Sequence, residues 1–197
     1  MLALLFVSVL GSALGNRAVA PSTPETRPVT FVGNVAAVQA TALGGDTRLY
    51  YQNPDNSIQE TAISGPFAVG TSVFEGTDLL IPANEVLPGT PIAAVTFNGN
   101  AFQQIHVFFV SPDNILSEYA WTGTVWKGGP SCSDCVTANR FAVQPGSKML
   151  YAMGNDAAVG NSSGVYLRVG FVSADAPGTL TEVDNIGGGG WHLAAMP

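Results

Sequence analysis

One short pattern occurs three times in this 197-residue chain and limits what the chain can fold into. In each copy a polar residue opens a β-rich stretch, a turn sequence follows, and a glutamate closes the next stretch. The copies cover 48–60, 106–118 and 168–182, and apolar strand-like segments precede them at 34–38, 91–95 and 149–153. Repeats of one supersecondary unit are typical of architectures in which each unit buries its apolar face against its neighbour.

The rest of the chain favours short strands. No segment of the mature chain sustains the helical i, i+3, i+4, i+7 spacing of apolar residues. Runs rich in Val, Ile, Phe and Tyr instead alternate with turn sequences such as Asn-Pro-Asp-Asn at 53–56 and Ser-Pro-Asp-Asn at 111–114. Each repeat holds three or four strands, which is the content of one β-propeller blade. The sequence therefore predicts an all-β domain over 21–197, with about three blades at roughly 29–80, 88–135 and 138–192.

Charge argues against several classes of partner. The chain has 7 basic and 14 acidic residues, a net charge of -7, and only 11% charged residues. Nucleic-acid binding depends on clustered Lys and Arg, and anionic membrane surfaces repel an acidic chain. We therefore predict no nucleic-acid partner and no membrane insertion. The 46% of hydrophobic residues is too high for an intrinsically disordered chain.

The N-terminal segment is typical of a secretory signal. Residues 1–14 form an apolar run shorter than a membrane span, and Ala18-Val-Ala20 has the small-residue form of a cleavage site. We predict a signal peptide over 1–20 and a secreted, extracellular protein. A buried strand or helix is the alternative interpretation of this run.

Secretion favours a disulfide for the two cysteines. Cys132 and Cys135 lie in a Gly- and Ser-rich loop, without the βαβ context of a thioredoxin-like redox motif. A zinc site would need two more ligands, for which the chain has only His106 and His192 as histidines. We predict a local disulfide and no metal, and the sequon at Asn161 predicts a surface glycosylation site.

The repeated glutamates suit binding better than catalysis. The chain has no G-x-S-x-G, no H-E-x-x-H and no glycine-rich phosphate loop. A glycosidase needs a carboxylate pair, which Glu60, Glu118 and Glu182 could supply in principle. One glutamate per repeat indicates equivalent binding sites, so we predict no enzyme activity and no cofactor.

The motifs together resemble the fungal fucose-specific lectins. The resemblance rests on the Ala-Ala strands, the Arg-Leu-Tyr-Tyr-Gln segment at 48–52, the closing glutamate and the aromatic tail at 119–126, and it covers roughly 29–192. It implies a six-bladed β-propeller that binds L-fucose between neighbouring blades. Three blades leave open edges, so we predict a head-to-tail homodimer that closes six blades, or else a partial propeller.

The resemblance implies one pocket per repeat, in which one blade supplies the polar residue and the glutamate and the next blade supplies aromatic residues. The assigned residues are Arg48, Glu60, Trp121 and Trp126 in site 1, His106, Glu118 and Trp191 in site 2, and Arg168 and Glu182 in site 3. Site 2 departs from the pattern because histidine replaces arginine, and site 3 lacks a following blade in this chain.

The residue types fit a neutral, polyhydroxylated ligand. An arginine donates to sugar oxygens, a carboxylate accepts from hydroxyl groups, and an indole covers the C–H side of a pyranose. The same Arg–Glu pairs could be structural ion pairs, and the tryptophans could be packing between blades. A fucose-binding lectin is therefore the leading hypothesis, with fucosylated glycans as partners. A structural or interaction protein with degenerate sites and a glycoside-active enzyme are the alternatives.

Overall fold

A computed structural model describes residues 33–40, 45–64, 72–74, 79–97, 102–155 and 165–195. The predicted signal peptide at 1–20 and the sequon at Asn161 lie outside these residues. In the part of the chain that is described, no helix is long and apolar enough to cross a membrane.

Thirteen strands form three antiparallel sheets in the described residues, which confirms the all-β prediction. Sheet 1 consists of β1 Val35–Gln39, β2 Thr47–Gln52, β3 Ile58–Ser64, β4 Ser72–Phe74 and β5 Leu80–Ile81. Sheet 2 consists of β6 Ala93–Phe97, β7 Gln104–Val110, β8 Leu116–Trp121 and β9 Trp126–Gly128. Sheet 3 consists of β10 Leu150–Asn155, β11 Tyr166–Val172, β12 Leu180–Ile186 and β13 Trp191–Ala195. Neighbouring strands are consecutive in sequence, apart from β5, which pairs with β3.

The turn between the second and third strands follows from the repeated turn sequence. Asn56 and Asn114 end these turns with φ of 76° and 56°, a left-handed conformation that asparagine tolerates better than most residues. In the third copy Gly178 has φ of 75° in the lengthened turn before β12. The same hairpin is therefore closed in each sheet, and it places each repeated glutamate on the third strand, beside the strand that carries Arg48, His106 or Arg168.

Side chains alternate between the two faces of each sheet. We call the face that carries Arg48, His106 or Arg168 the front face, and the opposite face the rear face. One core cluster joins the front of sheet 1, through Tyr50 and Ile58, to the rear of sheet 2, through Val107. Both faces thus bury apolar side chains that would be exposed in an isolated sheet.

A second core cluster repeats this arrangement one sheet further along. It joins the front of sheet 2, through Phe108 and Val110, to the rear of sheet 3, through Val169 and Phe171. The three sheets thus stack front to rear in chain order. Neither the front of sheet 3 nor the rear of sheet 1 is covered by another of these sheets.

Candidate functional sites

Site 1 begins with an ion pair on the front of sheet 1. Arg48 on β2 and Glu60 on β3 are diagonal neighbours, and Arg48 Nε lies 3.7 Å from Glu60 Oε1. The Tyr50 hydroxyl donates to Glu60 Oε2 at 2.8 Å. The Glu60 side chain is only 3% exposed, whereas that of Arg48 is 21% exposed. Tyr50 therefore holds the buried carboxylate of Glu60, while the guanidinium of Arg48 reaches the surface.

Aromatic rings from sheet 2 cover site 1. Trp121 and Trp126 are cross-strand partners on the rear of sheet 2, with ring centroids 5.8 Å apart. Trp126 meets Tyr50 edge to face at 6.3 Å. The structure thus brings together the four residues assigned to site 1. It adds Phe102, whose ring centroid lies 4.5 Å from the Arg48 guanidinium carbon. No repeat signal marked Phe102, which lies in the connection before β7.

In site 2 a histidine takes the place of the arginine, and it lies closer to its glutamate than Arg48 does to Glu60. His106 Nδ1 lies 2.6 Å from Glu118 Oε1, and the second oxygen of Glu118 accepts the Val136 backbone N–H at 2.7 Å. A cavity of about 610 Å³ opens between the front of sheet 2 and the rear of sheet 3. His106, Glu118 and Trp191, the residues that the resemblance assigned to site 2, all line it.

A disulfide loop forms part of the rim of this cavity. Cys132 and Cys135 are joined by a disulfide, so their sulfur atoms offer no thiolate to a metal. Lys127 forms an ion pair with Asp134 beside them. The hydrogen bond from Lys127 is the main cause that lowers the pKa of Asp134, which stays ionised at neutral pH.

Two polar atoms of the cavity lining are buried without a hydrogen-bond partner among the described residues. They are Trp191 Nε1, a donor, and Asn185 Oδ1, an acceptor. The two residues are cross-strand partners on the rear of sheet 3, and Trp191 also meets Phe108 edge to face at 5.9 Å. Because buried polar groups are nearly always paired, this donor and acceptor suit a ligand that both donates and accepts.

Site 3 has the same pair on the open front of sheet 3. Arg168 forms an ion pair with Glu182, and the Tyr151 hydroxyl donates to Glu182 Oε1 at 2.5 Å. The bond from Tyr151 is the largest cause that lowers the pKa of Glu182, and the bond from Arg168 adds to it. Burial, followed by the bond to Glu182, raises the pKa of Tyr151. The Arg168 side chain is 52% exposed, since no tryptophan of the described residues covers it.

The tyrosine that holds the glutamate comes from different strands in sites 1 and 3. In sheet 1 it is Tyr50 on β2, opposite Ala36 of β1. In sheet 3 the equivalent position of β11 is Gly170, and Tyr151 stands opposite it on β10. A Cβ atom on Gly170 would lie 2.1 Å from the Tyr151 ring. The ring thus fills the same space from the other strand, a role for Tyr151 that sequence reasoning missed.

Comparisons with known proteins agree with these observations. No protein-family model matches the chain. The chain is 32% identical over 102 residues to the fucose-specific lectin of Aleuria aurantia, which covers 50% of this chain and 30% of the lectin. It is 30% identical over 139 residues to the fucose-specific lectin of Aspergillus fumigatus, which covers 69% of this chain and 38% of the lectin.

The solved structure of the Aleuria aurantia lectin, a six-bladed β-propeller, superposes on this fold. The TM-score is 0.60 at 25% identity, and the match covers 85% of this chain and 50% of the lectin chain. This chain therefore spans only about a third to a half of the length of these lectins. The resemblance inferred from the repeats is confirmed, and the chain is a homologue of the fungal fucose-specific lectins with three sheets of a β-propeller fold.

Proposed function

We propose that this chain is a secreted, non-catalytic lectin that binds fucosylated glycans between its sheets. The observation that carries the proposal is site 1, where Arg48 and Glu60 of one sheet meet Trp121 and Trp126 of the next. This arrangement occurs in a chain whose relatives are fucose-specific lectins. The same relatives are lectins rather than enzymes, which supports binding without turnover.

The geometry of site 1 explains how a neutral sugar would bind. The exposed part of Arg48 donates to ring and hydroxyl oxygens, while Glu60 Oε1 accepts from a hydroxyl group. The bond from Tyr50 holds the other oxygen of Glu60, so the accepting oxygen is fixed before the ligand arrives. The indoles of Trp121 and Trp126 offer apolar surface to the C–H side of the ring. Such preorganisation reduces the entropy lost on binding.

Site 2 has a defined cavity. Its cavity of about 610 Å³ is within the usual size range of ligand pockets. His106 replaces the arginine, and the unpartnered Trp191 Nε1 supplies a further donor. We expect the three sites to differ in affinity and to act together on a glycan surface, where several linked sites raise the apparent affinity.

Two observations support secretion as part of the proposal. The sequence of residues 1–20 has the form of a signal peptide. Cys132 and Cys135 form a disulfide, which persists in oxidising compartments. N-terminal sequencing of the protein recovered from a secreting host tests this part, and recovery of a chain that still begins at Met1 would contradict it.

A second copy of the chain is the occupant we propose for the open front of sheet 3. Met153 and Ile186 on this face are 47% and 49% exposed, and Val35 on the rear of sheet 1 is 55% exposed. Both existing interfaces pack a front face on a rear face. Two copies that repeat this contact head to tail would close a ring and would cover site 3.

Light scattering of wild type and Ile186→Arg tests the dimer. We expect twice the chain mass for wild type and the single mass for the variant, because a charge buried at an apolar interface is unfavourable. Val125→Glu is the matched control, since Val125 is similarly exposed but lies in the β8–β9 turn of sheet 2, outside the front of sheet 3 and the rear of sheet 1. A monomeric wild type would contradict the proposed dimer.

Calorimetry with methyl α-L-fucoside and a glycan array test the binding function. Arg48→Ala combined with Glu60→Gln should abolish binding at site 1, because it removes the donor and the charged acceptor while keeping the size of the glutamate. Asp55→Asn, which removes one carboxylate from the β2–β3 turn, is the control and should bind as wild type does. Unchanged binding of the double variant would refute the site assignment. A folded wild type without affinity for any fucoside would instead favour a structural protein with degenerate sites.

A further inference from the structure

Each of the three repeated glutamates is held by a second donor, and the donor differs from sheet to sheet. Tyrosine hydroxyls serve Glu60 and Glu182, whereas Glu118 accepts the backbone N–H of Val136. Val136 does not belong to any sheet. It lies in the loop that connects β9 to β10, at the start of a one-turn 3-10 helix, Val136–Asn139.

The loop replaces a tyrosine that sheet 2 lacks. Phe108 stands opposite Glu118, in the register position that Tyr50 occupies opposite Glu60. Its ring is fully buried and has the size of the tyrosine ring, but it carries no hydroxyl. Glu118 would therefore lack the hydroxyl donor that Glu60 has, unless a donor came from outside the sheet.

The loop is attached to Glu118 at two points. Val136 N–H donates to Glu118 Oε2 at 2.7 Å, and Glu118 N–H donates to Thr137 Oγ1 at 2.9 Å. Both loop residues directly follow Cys135, which is the residue before the helix. The disulfide to Cys132 closes the turn just ahead of these two contacts, and both cysteines are buried.

We infer that the disulfide loop of Cys132 and Cys135 is the positioning element of site 2. The inference rests on the proposed function, since it explains how that site keeps its acceptor in place. The disulfide limits the conformations of the loop and so keeps Val136 N–H at the carboxylate. Sites 1 and 3 have tyrosines of their own and are independent of the cysteines.

The consequence is a site-selective dependence on the disulfide. Without it, the loop samples more conformations, and the bond to Glu118 forms in fewer of them. A hydrogen bond to a charged group contributes enough for an expected loss of about tenfold in affinity at site 2. Site 1 should keep its affinity.

Indole resonances can separate the two sites. The chain has three tryptophans, of which Trp191 lines site 2 while Trp121 and Trp126 cover site 1. We would titrate the full mature chain with methyl α-L-fucoside and follow the three indole N–H signals by NMR. The proteins are wild type, Cys132→Ser/Cys135→Ser, and the same double variant with Phe108→Tyr.

The expected result is a loss of fucoside affinity that is seen only at the Trp191 signal, and its recovery when Phe108→Tyr is added. The double variant should need about ten times more fucoside to shift the Trp191 signal, with the signals of Trp121 and Trp126 titrating as in wild type. Phe108→Tyr should restore the site 2 affinity, since the added hydroxyl lies in the register from which Tyr50 reaches Glu60. A merely structural role of the disulfide predicts no such rescue.

A second variant keeps the test decisive if the double variant does not fold. Thr137→Val leaves the disulfide intact but removes the oxygen that accepts Glu118 N–H, so we expect a smaller loss confined to the Trp191 signal. Wild-type affinity at site 2 in either folded variant, or failure of Phe108→Tyr to rescue, would overturn the inference. A wild type in which only site 1 binds would overturn it as well. Absence of any indole shift in wild type would instead refute the proposed function.

Discussion

Sites 1 and 3 contain the same chemical groups in different surroundings. Each joins an arginine to a buried glutamate whose second oxygen accepts a tyrosine hydroxyl. Site 1 is covered by the tryptophans of the next sheet, whereas Arg168 in site 3 is half exposed. Because the pair forms with and without that cover, each sheet organises its own polar half of a site, and the neighbouring sheet supplies only the aromatic half.

In both sites a tyrosine hydroxyl donates to the glutamate, although the tyrosine lies on a different strand in each. Tyr50 faces Ala36 across β1 and β2, while Gly170 faces Tyr151 across β10 and β11. In sheet 3 the large residue lies on the first strand and the small residue on the second, which is the reverse of sheet 1. One aromatic ring therefore fills the space between the two strands in both sheets. Such an exchange needs both changes together, because two rings would overlap and two small residues would leave a cavity.

The largest expected effect comes from forcing both rings into sheet 3. Gly170→Tyr should destabilise the protein by about 3 kcal/mol, because its side chain would overlap the Tyr151 ring. Adding Tyr151→Ala recreates the arrangement of sheet 1 and should recover most of the loss. Urea unfolding of the four proteins in this double-mutant cycle should give a coupling of about 3 kcal/mol or more, because the coupling includes both the recovered loss and the cost of Tyr151→Ala alone. Additive effects would show that the two positions do not share one ring site.

The repeat pattern predicted much of this arrangement. Side chains alternate along strands, so the spacing of Arg48 and Glu60 across a short turn was enough to place them on one face. The resemblance to the fungal lectins, rather than the repeat itself, assigned the tryptophans at 121 and 126 to the preceding sheet's site. It also assigned His106, Glu118 and Trp191 to one site, and the three residues line one cavity.

Other features had no signal in the sequence. Tyr151 lies in an apolar strand segment, where it is typical of core packing, and only the register of β10 against β11 reveals that it replaces the tyrosine missing at Gly170. Val136 acts through its backbone N–H, which every non-proline residue has. Such contacts depend on how a loop folds back over a sheet, and the residue types do not encode this directly.

A smaller effect on the free energy of unfolding should distinguish site 1, which sheet 2 covers, from site 3, which is open. Tyr50→Phe removes the donor from a carboxylate that is shielded by sheet 2, so we expect a loss of about 1 to 3 kcal/mol. In the monomeric Ile186→Arg background, where no second copy covers site 3, Tyr151→Phe should lose only about 0.5 to 1.5 kcal/mol, since water can reach its half-exposed side. Urea unfolding of the two variants at neutral pH measures both. Equal losses would mean that the cover does not alter the strength of the bond.

The smallest expected effect is the acid dependence of site 3. Tyr151 and then Arg168 lower the pKa of Glu182 from its ordinary value of 4.5, so the ionised form is favoured in the folded state. This contribution to stability is complete above about pH 4.5 and is lost as the pH falls through the lowered pKa of the folded state. The stability difference between wild type and Tyr151→Phe should therefore be constant near neutral pH and shrink below this range.

Ser117→Ala is the control for this acid series. The buried Ser117 hydroxyl donates to the Ile115 carbonyl, a bond between neutral groups, so its contribution should not change between neutral and acidic pH. Urea unfolding at several pH values measures both variants against wild type. If the difference for Tyr151→Phe stayed constant in acid, the Tyr151 hydroxyl would contribute to stability without favouring the ionised form of Glu182. Sites 1 and 3 would then share a shape but not the bond that fixes the carboxylate.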